Sequence, residues 1–173
     1  WYIPHGVDTK IFKPLDREEA REHVGWDQDK FIVGMVAANK GNPSRKAFYE
    51  QIAAFAALHA QHPDTMLYLH TDDGTHGGDV VNLPKFINRM GLKLGEDVIF
   101  CDPYHYGLGF PDEYMVDIYN GMDVLTNVAL GEGFGIPILE AQACGTPVIV
   151  GDWTSMSELC FAGWKVLKEE ALP

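Results

Sequence analysis

Residues 131–146 read GEGFGIPILEAQACGT: a glycine-rich turn, a helix opened by Pro137, and a stop at Gly145 ahead of the next strand. Proline suits the first helical position, where its missing N–H would have no intrahelical partner. Gly145 suits the residue just past the helix, where a left-handed backbone is common. Gly131, Gly133 and Gly135 let the backbone approach a ligand, and the unpaired N–H groups at the helix start form an anion site. Glu132 and Glu140 bracket that site. Either carboxylate repels a phosphate held at the amides, so both acids are expected to accept hydrogen bonds from hydroxyl groups. A ligand with phosphates in the middle and hydroxyls on both sides meets these demands, and a nucleotide-sugar is such a ligand.

Working outward, residues 124–128 form a short apolar strand that feeds the turn, and 148–150 form the strand after the helix. A further helical piece is expected over 155–161. Upstream, 31–37 (FIVGMVA) is an unbroken apolar run of strand length, as a parallel strand covered on both faces requires. Residues 66–70 and 98–100 give two more strands. Between them lie helices from about 46 to 62, with Phe48, Ile52, Phe55 and His59 on one stripe, and over 83–90, ended by Gly91. A charged helix over 16–24 has Asp16 as its N-cap and Gly25 as its terminator. Residues 102–110 read as irregular, and 111–121 as a helix with Tyr114, Ile118 and Met122 inward. Strands alternating with helices predict an α/β domain, a Rossmann-like parallel sheet with helices on both faces. In such sheets ligands sit at the carboxyl ends of strands. Arg45-Lys46, the turn 102–104 and the turn 131–135 all fall at such ends.

Residues 1–14 mix apolar anchors with Pro4, Gly6 and Pro14, and read as a linker from a preceding domain. Residues 15–173 make one nucleotide-sugar-binding domain, and the start at Trp1 and the stop at Pro173 suggest a piece of something longer. A hydrophobic content of 46% over 173 residues argues against disorder. The net charge of -12 makes nucleic acid a poor partner. No signal peptide is visible, and no apolar run approaches the ~20 residues that span a bilayer. No membrane contact is therefore expected from this domain. Cys101, Cys144 and Cys160 are an odd number without motif spacing, which suits a reducing, cytoplasmic compartment.

The plain reading of a lone G-x-G-x-G is a tight strand-to-helix turn, and the dinucleotide fingerprint needs a different spacing. Glu132 and Glu140 with Pro137 between them sharpen the signal. The segment GEGFGIPILEAQACGTPVI resembles the signature of retaining glycosyltransferases of the GT-B fold, family 4 (glycosyl transferase group 1), whose hallmark is E-x7-E. The opening IPHGVDTKIFKP resembles the segment by which that family's chain enters its second domain. The likeness implies one half of a GT-B fold: the C-terminal domain of a hexosyltransferase that moves a sugar from a nucleotide diphosphate sugar to an acceptor hydroxyl.

Carried onto these residues, the resemblance puts Glu132 against hydroxyls of the donor sugar and Glu140 on the ribose. Amides around Gly133, Phe134, Gly135, Ile136 and Ile138 hold the sugar and diphosphate, and the turn bearing Asp102 and Tyr104 receives the base. Lys46 matches the family lysine beside the diphosphate. The family arginine is absent at Ala38 and Asn39, and Arg45 is the neighbouring candidate to replace it. A fixed cation stabilises a departing diphosphate more than the bound substrate. Glu132, Lys46 and Arg45 are thus the expected catalytic residues. The resemblance implies no metal and no cofactor beyond the donor substrate. It also implies an acceptor glycan, lipid or small molecule bound mainly by another, N-terminal domain, so this domain alone is expected to be inactive. A non-catalytic nucleotide-binding homologue would lose the two glutamates. A GT-B phosphorylase would need a lysine in a cofactor-attachment context, and none is recognisable.

The remaining candidates have simpler readings. His70, Asp72, Asp73, His76 and Asp79 crowd one stretch, but without metal-loop spacing they read as a hydrated loop. His59 and His62 read as one core and one surface residue, and Cys144 as a small core residue. Tyr104, His105 and Tyr106 line the nucleotide or pack their own loop. Trp153 and Trp164 read as core or domain-interface residues.

Overall fold

The computed structural model describes residue 1 and residues 3–167, so the upper end of the expected domain, 168–173, lies outside the described residues. Six parallel strands form one sheet: β1 (Phe31–Val36), β2 (Thr65–His70), β3 (Val98–Phe100), β4 (Val124–Asn127), β5 (Val148–Gly151) and β6 (Gly163–Val166), in the order β3-β2-β1-β4-β5-β6. The helices are α1 (Arg17–Val24), α2 (Phe48–His59), α3 (Leu83–Arg89), α4 (Pro103–Leu108), α5 (Asp112–Gly121), α6 (Ile136–Ala143) and α7 (Thr154–Leu159). The expected Rossmann-like α/β architecture is present.

The central strands are apolar throughout because both of their faces are covered. Ile32, Tyr68, Leu125 and Val148 face a core shared with Tyr119, Ile138 and Met156. Val33, Leu67, Leu69 and Val124 face a second core with Phe48, Ile52 and Ile87. Helices α2 and α3 thus cover one face of the sheet, and α5, α6 and α7 cover the other. The strand order reverses between β1 and β4, and the crevice at such a switch point is where ligands of this architecture bind.

Several expectations change. Residues 102–110 are not irregular: Asp102 caps α4 by accepting from the His105 N–H at 2.9 Å, with Pro103 in the first turn. Strand β6 was not foreseen. Its two apolar side chains stand at the sheet edge, and Trp164 is 64% exposed, so it is not a core residue. Tyr114 does not point inward; it stacks on Phe110 at 5.1 Å near the surface, while Val116 and Tyr119 fill the core. His70 belongs to a buried strand instead of a hydrated loop. Helix α1 has the expected Asp16 cap and Gly25 terminator, yet its Arg21 is 1% exposed. That guanidinium donates to the carbonyls of Gly121, Gln28 and Lys30 and pairs with Asp123 at 2.6 Å.

Candidate functional site

Two loops flank the switch point, one after β1 and one after β4. The first is tied down by Asn39, whose side chain donates to Asp72 O and Val81 O and accepts from the Val81 N–H. Where the resemblance leads one to expect an arginine, a buried clamp stands instead. The loop ends in Ser44, Arg45, Lys46 and Ala47, and Ala47 takes a left-handed backbone (φ 53°) before α2 begins.

Gln51 fastens this loop to the other. Its Nε2 donates to Lys46 O at 2.8 Å, and its Oε1 accepts from Thr126 Oγ1 at 2.8 Å and from the Val128 N–H at 3.2 Å. The Leu130 N–H donates to Arg45 O at 2.8 Å. With the backbones stitched together, Lys46 Nζ reaches Glu132 Oε1, and Arg45 Nη1 reaches Gly131 O and, at 3.3 Å, Glu132 Oε2. The Glu132 side chain is 7% exposed and that of Arg45 is 57% exposed. The structure thus brings the three expected catalytic residues together, with the two cations paired to the carboxylate.

The glycine turn is held from the far side by α7. Thr154 Oγ1 accepts from the Glu132 N–H at 3.3 Å, and Ser155 Oγ donates to Glu132 O and to Phe134 O. Trp153 Nε1 donates to Ala129 O at 2.9 Å, so Trp153 braces the same turn. Gly135 adopts φ 103° as the N-cap of α6, with Pro137 in the first turn as the sequence requires. Among the described residues, the N–H groups of Gly133, Phe134, Gly135 and Ile136 meet no protein acceptor. The Ile138 N–H, expected to face a ligand, is engaged by Gly135 O at 3.0 Å, because the first turn of α6 closes on itself. Its side chain is fully buried.

Glu140 lies on α6, where Tyr119 donates its hydroxyl to Glu140 Oε2 at 2.6 Å. Among the described residues Oε1 has no protein partner. Burial pushes the Glu140 carboxyl above its usual range, opposed by the Tyr119 hydrogen bond. Burial and the neighbouring carboxylate push the Tyr119 hydroxyl well up, so it remains a donor.

Asp102 and Tyr104 stand apart from this cluster. The Asp102 carboxylate also contacts His105 Nδ1 at 2.8 Å, and the bond from the His105 N–H holds its carboxyl below the usual range. Tyr104 is 71% exposed. No hydrogen bond or ion pair among the described residues joins either to Glu132 or Glu140. Strand β3 is three strands from β4, about 14 Å at the usual strand spacing. One ligand touching both loops must be extended.

An apolar hollow of about 970 Å³ lies on the α2 face of the sheet, lined by Val33, Phe55, Val124, Ile149 and Trp164 together with Gln51, Thr126, Val128, Glu50 and Asp123. Among the described residues no cation lines it. Among the described residues no group of three or more His, Cys, Asp or Glu side chains is placed to hold a metal ion, and no helix is long and apolar enough to cross a membrane.

Local pattern did not reveal Asn39, Gln51, Tyr119, Thr154 and Ser155. The one signal available was a buried-type position, beside Ile52, filled by a polar Gln51.

The comparisons with known proteins agree with this fold. The family model for glycosyl transferases group 1 matches residues 30–170. The D-inositol 3-phosphate glycosyltransferase of Stackebrandtia nassauensis is 31% identical over 150 residues, covering 84% of this chain and 32% of the relative. That of Rhodococcus jostii is 30% identical, covering 87% and 31%. The chain thus spans about a third of the length of these curated relatives. A sucrose-phosphate synthase from Thermosynechococcus elongatus superposes with a TM-score of 0.78 at 26% identity, over 98% of this chain and 40% of that one. The C-terminal domain of a glycosyl transferase group 1 family protein (LpcC) from Francisella tularensis shares the fold, with a TM-score of 0.73 at 22% identity over 96% and 82%. The sheet is one Rossmann-like half of a GT-B fold. With the E-x7-E acids at the switch point and a family match running from β1 through β6, the chain belongs to the glycosyl transferases group 1 family.

Proposed function

We propose that this chain is the C-terminal, donor-binding domain of a retaining GT-B glycosyltransferase of family 4, preceded by a linker at 1–14. The whole enzyme would move a hexose from a nucleotide diphosphate sugar to an acceptor hydroxyl, without a metal or further cofactor. The observation that carries the reading is the meeting of Lys46 and Arg45, from the loop after β1, with Glu132, from the loop after β4, across the switch point.

In the reaction, the bond between the anomeric carbon and the β-phosphate oxygen breaks, and its electron pair leaves on the diphosphate. The anomeric carbon then bonds to the acceptor oxygen through an oxocarbenium-like transition state, with configuration kept, and the acceptor hydroxyl's proton passes to the departing diphosphate. Lys46, Arg45 and the amides of 133–136 stabilise the charge that grows on the leaving group. Each charge-assisted contact contributes about 1.5–3 kcal/mol. Glu132 receives sugar hydroxyls, and Glu140, aimed by Tyr119, receives the ribose through Oε1. Asp102 and Tyr104 border the base.

The acceptor, whether glycan, lipid or small molecule, is held mainly by an N-terminal domain, in keeping with a chain spanning a third of its relatives. The net charge of -12 disfavours nucleic acid as a partner. A cytoplasmic enzyme fits the free cysteines.

Calorimetric titration of this chain with UDP, GDP and ADP tests the reading. At least one diphosphate is expected to bind, and Glu140→Ala to weaken it about 10- to 100-fold. Failure of all three to bind contradicts the donor-site reading, and an unchanged affinity in Glu140→Ala removes the ribose assignment.

A further inference from the structure

We propose that Glu132 sets the preference of this site for an intact nucleotide diphosphate sugar over a bare nucleoside diphosphate, by competing with phosphate for Lys46 and Arg45. The inference rests on the donor-site reading above and adds a specificity role that the reading does not require.

A diphosphate approaching Lys46 and Arg45 meets a carboxylate already paired with both. It must displace that carboxylate, because a phosphate and Glu132 at the same two cations repel each other. The Glu132 backbone cannot carry the side chain away. Its N–H is held by Thr154 and its carbonyl by Ser155. The carboxylate can only swing about its own side-chain bonds. At 7% exposure it swings within a desolvated place, where an unpaired charge is costly.

What the displaced carboxylate meets then decides the outcome. With a sugar on the β-phosphate, hydroxyl groups stand beside the phosphate and donate to it. With a bare diphosphate there are no such hydroxyls, and the carboxylate loses two cations for nothing. The wild-type site is therefore selective against its own leaving group even though the bare diphosphate carries more charge. A purely cationic site would rank the two ligands the other way. The same competition returns Glu132 to Lys46 and Arg45 once the sugar has gone, which promotes product release.

The test is titration of this chain with UDP, GDP and ADP and with their glucose conjugates, for wild type and Glu132→Gln. The substitution keeps the side chain's shape and removes its charge. Wild type is expected to bind the sugar conjugate more tightly than the matching diphosphate. Glu132→Gln is expected to tighten the bare diphosphate about tenfold or more, for a contact of this kind, and to leave the conjugate unimproved. The inference is overturned if wild type prefers the bare diphosphate, a comparison needing no variant, or if Glu132→Gln leaves diphosphate affinity unchanged or weaker. Wild type binding neither ligand defeats the donor-site reading itself, a result distinct from either of these.

Discussion

His70 shows how a single buried side chain sets a pH dependence. Its Nδ1 lies 2.8 Å from the Tyr68 hydroxyl, and the Tyr106 and Phe110 rings pack against it. Burial pushes the imidazole down to about 4. The unfolded chain takes up the proton near 6.5 and the folded chain does not, so the fold loses stability as pH falls from 6.5 towards 4. The expected loss between pH 7 and pH 5 is about 2 kcal/mol. Urea unfolding at the two pH values checks it, with His70→Asn expected to flatten the difference; an equal loss in the variant would assign the effect to other groups. None of this was visible in the sequence, where His70 sits at the head of the polar run TDDGTHGGD. Arg21 was hidden in the same way. REEAREHV reads as a solvated helix, and the carbonyls of Gly121, Gln28 and Lys30 together with the Asp123 carboxylate make a buried guanidinium tolerable there. The Lys46–Glu132 pair likewise joins residues 86 positions apart. The residue types were readable from the motif, and their pairing was not.

At the scale of elements, α6 is the decisive piece. Gly135 adopts φ 103°, and a Cβ there would stand 2.9 Å from Ile138 Cδ1 and 3.6 Å from Leu159 Cδ1. Gly135→Ala therefore meets both an unfavourable backbone region and the packed side chains of α6 and α7. It is expected to destabilise the fold by about 1–3 kcal/mol and to disturb the unpaired amides of 133–136. Thermal melting and diphosphate titration check the two effects; wild-type stability together with wild-type affinity would show that the turn geometry is not needed. The elements that sequence foretold are those with strong local signals. Strands β1 to β4 are apolar because they are buried, and α1 carries its cap and stop at the expected residues. The two missed elements lack such signals. Helix α4 has six residues with a glycine among them, so the Asp102-Pro103 start was outweighed by a weak helical body. Strand β6, GWKV, is an exposed edge of four residues, too short for its alternation to stand out.

For the whole molecule, the doubly wound order brings loops from distant parts of the chain to one crevice. The loop after β1 supplies cations, the loop after β4 supplies amides and a carboxylate, and α5 supplies the hydroxyl that aims Glu140. A nucleotide diphosphate is expected to bind at this crevice. Two-dimensional amide NMR of the isotope-labelled chain, titrated with UDP, GDP and ADP, tests it most directly. The binding diphosphate is expected to shift signals of residues 44–47 and 131–140 first and most, with smaller changes near 102–104. Shifts confined to the apolar hollow around Val33, Val124 and Trp164, or none in the loops after β1 and β4, would contradict it.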